Sequence, residues 1–141
     1  MRKKLFLLLF FSSLLCAFQW DYSHDFFLKK DEVGVIEVTK REDQSKRLLH
    51  LRWTLFENKR LVVLVKYDDF PTQYVLQKEY KRNSIKITLR DDYRDSFKRC
   101  FLIIKFADFT TAKKTARLEV SITDPKKIVE IKFIDPKKSK G

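Results

Sequence analysis

Glycine is nearly missing from this 141-residue chain: only Gly34 and the terminal Gly141 occur. Phosphate-cradling loops need several glycines to bring the backbone close to the anion, so nucleotide chemistry of that kind is excluded. Glycine also supplies the positive φ of tight hairpins. Its scarcity passes that role to asparagine, and Asn58 in ENKR and Asn83 in KRNS mark two expected turns. Proline is limited to Pro71, Pro125 and Pro136, all expected between or after strands, where a missing N–H does no harm. Two cysteines, Cys16 and Cys100, and two histidines, His24 and His50, leave too few soft ligands for a metal cluster. No Ser/His/Asp order, nucleophile elbow or metalloprotease helix is present either. The expectation is a protein without catalytic residues, cofactor or metal.

A long apolar run is also lacking. MRKK followed by LFLLLFFSSLLCAF is a basic region and about fourteen mostly apolar residues, the layout of a secretory signal peptide. A membrane-spanning helix needs roughly 20. Leu15 before Cys16 fits lipoprotein processing poorly, so cleavage after Ala17 is expected and Cys16 leaves with the signal. The alternative is an uncleaved N-terminal membrane tether. The reading divides the chain into a signal peptide over 1–17, an aromatic N-terminal arm over 18–31, a β-domain over 32–135 and a basic tail over 136–141.

What the chain has in abundance is alternation. Leu49, Leu51, Trp53 and Leu55 oppose His50, Arg52 and Thr54. Ile85, Ile87 and Leu89 oppose Lys86, Thr88 and Arg90. Ala116, Leu118, Val120 and Ile122 oppose Arg117, Glu119 and Ser121, and Val129, Ile131 and Phe133 oppose Glu130 and Lys132. Period two over such lengths predicts half-buried antiparallel strands. LVVLVKY, residues 61–67, is apolar on both sides and reads as a central, covered strand. Parity in CFLIIKFADF turns Cys100, Leu102, Ile104 and Phe106 inward. Gly34 within the first strand signals a bulge or a close backbone approach.

Strands are expected near 32–41, 46–57, 61–68, 73–80, 84–91, 99–107, 115–123 and 127–134. That is an all-β fold: a single antiparallel β-sandwich of about eight strands, immunoglobulin-like or similar, with a small β-barrel as the alternative.

Charge is the other surplus, 31 Lys and Arg against 19 Asp and Glu, a net +12. Alternating strand directions gather acidic turns at one pole: Glu42-Asp43, Asp68-Asp69, Asp91-Asp92 with Asp95, and Asp124. Turn chemistry explains these better than a calcium site, because Asp is a common turn residue. The other pole collects Lys59, Arg60, Lys81, Arg82, Lys113 and Lys114, a candidate anion-binding cluster. His24 between Asp21 and Asp25 reads as an exposed residue of the arm, and His50 as facing solvent or the second sheet face.

The function these features predict is that of an exported, non-catalytic protein of a bacterial cell envelope, periplasmic or secreted. It would bind a partner protein or an anionic envelope component, with peripheral membrane contact but no nucleic acid. A periplasmic carrier for an amphipathic anionic lipid or lipopolysaccharide is one alternative. An envelope hydrolase at the acidic pole is the other.

Overall fold

The computed structural model describes residues 20–79, 81–90 and 100–137. The signal segment, Cys16, Phe18, Asp91, Asp92, Asp95 and the end of the basic tail lie outside them. Nine strands follow one another: β1 (Tyr22–Lys29), β2 (Gly34–Lys40), β3 (Lys46–Glu57), β4 (Arg60–Tyr67), β5 (Phe70–Gln77), β6 (Ser84–Arg90), β7 (Cys100–Thr110), β8 (Thr115–Thr123) and β9 (Val129–Ile134). They form two antiparallel sheets, ordered β1-β8-β7-β6 and β5-β4-β3-β2-β9. The fold is a β-sandwich, and the sheets do not close into a barrel.

The additional strand lies in the stretch expected as an arm. Tyr22, His24, Phe26 and Leu28 point toward the second sheet, while Ser23, Asp25 and Lys29 point out. Exposed Phe27 breaks that polar row and hides its period. β1 pairs along its whole length with β8, from Tyr22 opposite Ile122 to Lys29 opposite Thr115. Phe26 and Leu28 are fully buried.

The core lies between the sheets. Leu49, Leu51, Ile104, Phe106, Leu118 and Ile122 are its large members, and Cys100 is buried among them, as its parity requires. A β-bulge between Trp53 and Leu55 separates two residues that simple alternation places on one face. Trp53 stays inside at 4% exposure, and Leu55 turns outward at 49%. One extra residue in a strand reverses the parity beyond it.

Turns show how a glycine-poor chain reverses direction. Asn58 and Lys59 both have positive φ (51° and 62°), as do Asp68 and Asp69 (49° and 67°). Each pair is the two-residue loop of a type I′ hairpin. Asn83 is not among the positive-φ residues; its carbonyl accepts from the Phe106 N–H at 2.8 Å instead. The compact Asp68-Asp69 loop lets β5 begin at Phe70, three residues earlier than expected, which places Pro71 inside a strand rather than before it.

Gly34 is a close approach. A Cβ there would stand 2.7 Å from Phe26 Cδ1. Gly→Ala at a compatible strand position gains about 0.4–1 kcal/mol through the unfolded chain, while forced overpacking costs about 1–3 kcal/mol. Gly34→Ala is therefore expected to lower the urea midpoint. An unchanged or raised midpoint would show that the Phe26 ring can move aside.

Candidate binding face

β4 is the origin of the candidate site. Leu61, Val63 and Val65 point into the core. Val62 and Leu64 point the other way and are only half-buried. The expected central, covered strand is thus second from an edge, and among the described residues no third layer lies over its outer side. An antiparallel sheet with one wet face normally alternates apolar and polar residues. Here the wet face carries several apolar residues as well.

The register shows how far this extends. Val62 lies between Leu55 of β3 and Val75 of β5. Leu64 lies between Arg52 and Gln73. His50 lies between Val35 and Lys66, and Val35 continues to Ile134 of β9. Leu48, opposite Glu37, completes the face. Of the six large apolar side chains exposed among the described residues, Leu48, Leu55, Val75 and Ile134 all lie here. A groove of about 470 Å³ opens beside Leu64, with His50, Arg52 and Lys66 on one side and Pro71 and Gln73 on the other.

The cations of this face have modest local partners. Arg52 is 3.6 Å from Asp31, and Lys66 is 3.6 Å from Asp69. Exposed pairs of this kind contribute little to stability, so both cations can turn to a ligand at small cost. Lys46 is held more firmly, 2.8 Å from Glu37. That hydrogen bond keeps the Glu37 carboxyl below its ordinary range, and Lys132 adds to the effect.

The six basic residues expected at one pole are placed as follows. Lys59 and Arg60 are at the β3–β4 turn, Lys81 and Arg82 in the β5–β6 connection, and Lys113 and Lys114 in the β7–β8 turn. All six are exposed. Acids share that end. Lys59 is 3.6 Å from Glu79, and Lys78 is 3.0 Å from Asp108. The hydrogen bond from Lys78, with one from the Phe109 N–H, holds the Asp108 carboxyl below its ordinary value. The nearby groove takes Lys59 alone of the six, and it adds Lys78, Glu79 and Asp108. The pole is therefore a mixed rim.

Among the described residues of the acidic pole, turn chemistry and ion pairs account for Asp43, Asp68, Asp69 and Asp124. Asp68 and Asp69 are hairpin residues ion-paired to Arg47 and Lys66. Asp43 accepts from the Ser45 N–H at 3.0 Å. Asp124 is buried and accepts from the backbone of Ile128 and Val129. No group of three or more His, Cys, Asp or Glu among the described residues is placed to hold a metal ion. His24 belongs to a strand rather than an arm. Its ring stacks on Phe133, and Nε2 lies 3.0 Å from Asp135.

No family model, no curated protein and no solved structure matches the chain. The apolar outer face was foreshadowed by the two-sided apolarity of residues 61–67. Sequence alone assigned that property to burial.

Proposed function

We propose that this chain is an exported, non-catalytic protein of a bacterial cell envelope that binds a partner protein through the outer face of its five-stranded sheet. Export rests on the basic and apolar N-terminal segment MRKKLFLLLFFSSLLCAF. The observation that carries the binding reading is the set of apolar side chains on this face, Leu48, Val35 and Ile134 on one side and Leu55, Val62, Leu64 and Val75 on the other, flanking the groove with His50, Arg52 and Lys66. Apolar patches of this kind on soluble domains mark interaction surfaces. The described carboxylates of the acidic pole, set into turns and ion pairs, lend no support to a hydrolytic site.

The test places a photo-crosslinking amino acid at Leu48 or at Phe27, exposed on the outer face of the other sheet, in the producing cell. A discrete protein adduct from Leu48 and not from Phe27 is expected. Equal yields from both, or none, remove the reading. Lipid adducts from Leu48 would instead favour an anionic amphiphile lying along the groove.

A further inference from the structure

We propose that the outer edge of β5 is a strand-addition site for an extended partner segment in which acidic and apolar residues alternate. The proposal rests on the partner-binding reading above and specifies where pairing occurs and what pairs.

The sandwich has four edge strands: β1 and β6 in one sheet, β5 and β9 in the other. Edges invite unwanted pairing, and charged side chains are the usual defence. β1 carries Asp25 and Lys29, β6 carries Lys86, and β9 carries Glu130 and Lys132. β5 reads FPTQYVLQ, eight uncharged residues in a chain that is 35% charged. Only Pro71 blunts it.

The ladder shows which backbone groups that edge offers. Tyr67 and Phe70 close a two-residue hairpin, so they form a hydrogen-bonded pair. Pairing types alternate from there. Pro71, Gln73, Val75 and Gln77 therefore aim their backbone groups away from β4. The Gln77 N–H, which bonds the Arg82 carbonyl at 3.1 Å rather than β4, agrees with this assignment. It also explains how a proline fits here: its missing N–H would have faced the open edge. Among the described residues, the N–H groups of Gln73 and Val75, and the carbonyls of Pro71, Gln73 and Val75, are left to receive a strand.

The side chains of an added strand would alternate between the two faces, and a groove waits on each. On the outer side is the groove with His50, Arg52 and Lys66. On the inner side, a groove of about 320 Å³ is lined by Val65, Tyr67, Phe70, Tyr74 and Ile87, with Arg47 at its rim. The first suits carboxylates and the second suits apolar side chains. Lys66 lies directly behind Pro71, about two strand spacings (~10 Å) from an added strand, within reach of a lysine and a glutamate extended toward each other. A second copy of this chain is the poorer occupant, because it would bring another +12 and a second set of these cations.

The test uses the full chain and a synthetic eight-residue peptide of alternating valine and glutamate. A valine–lysine peptide and a glutamate peptide with alternate backbone amides N-methylated are the controls. Amide hydrogen exchange is read residue by residue. The glutamate peptide is expected to slow exchange at Gln73 and Val75 by about tenfold or more, and both controls to leave it unchanged. Lys66→Glu should abolish protection by the glutamate peptide. Unaltered exchange at Gln73 and Val75 with the glutamate peptide overturns the proposal. So does equal protection by the lysine peptide, or protection that rises with protein concentration alone, which would mark self-pairing. A crosslink retained at Leu48 with no protection at β5 would remove only the edge assignment. Loss of the crosslink would remove the partner reading itself.

Discussion

Trp53→Ala should lose about 3–5 kcal/mol of stability, the usual cost of truncating a buried aromatic, which corresponds to a melting temperature lower by roughly 10–20 °C. The residue joins both sheets. Its indole N–H donates to the Leu28 carbonyl of β1 at 2.7 Å, although Trp53 belongs to β3. Its own carbonyl accepts from the Asp31 N–H at 2.9 Å, which fixes the β1–β2 turn. Its ring meets Phe109 of β7 edge-on at 5.6 Å. Removing it opens a cavity and takes a donor from a buried carbonyl at the same time. Trp53→Phe keeps most of the ring volume and loses the donor, so it should cost about 1–2 kcal/mol. Thermal denaturation followed by circular dichroism separates the two variants. A Trp53→Ala protein that melts within a few degrees of the parent would mean the intersheet contact contributes little.

Asp124→Ala should be comparably damaging, by about 2–5 kcal/mol, for a different reason. Asp124 is 1% exposed at the β8–β9 crossover. Its two carboxylate oxygens accept from the Ile128 N–H at 3.0 Å and the Val129 N–H at 3.1 Å, and its own N–H donates to Asp21 at 2.6 Å. The side chain thus closes the crossover, while the backbone N–H of the same residue ties it to Asp21 in the segment leading into β1. Alanine leaves two partly or fully buried N–H groups without acceptors. Asn keeps the shape and a single acceptor oxygen, so Asp124→Asn should fall between alanine and the parent. Urea denaturation checks the order. An alanine variant as stable as the parent would show that the backbone can re-form this crossover without the carboxylate.

These two residues also show what could be read without a fold. Trp53 was legible as core because it shares parity with Leu49 and Leu51. Asp124 was legible only as a turn residue. Its backbone N–H is held by Asp21, 103 positions away in the chain. The binding face behaves like Asp124. Val62 and Leu64 are apolar in any reading, but their exposure depends on which strands lie over them.

Alternation by itself determined the class of fold, the inward parity of Cys100, Leu102, Ile104 and Phe106, and most strand positions. Side chains on an extended backbone alternate by local geometry, so the sequence carries that information residue by residue. Tertiary structure decided the remainder. It made a strand of Tyr22–Lys29 by pairing it with β8, some ninety positions distant. It turned Leu55 outward through a bulge, and it left β5 at an edge with β4 uncovered beside it. Each of these depends on contacts between segments far apart in the chain. Local periodicity says which side of a strand is apolar, and only the packing of the sheets says what that side meets.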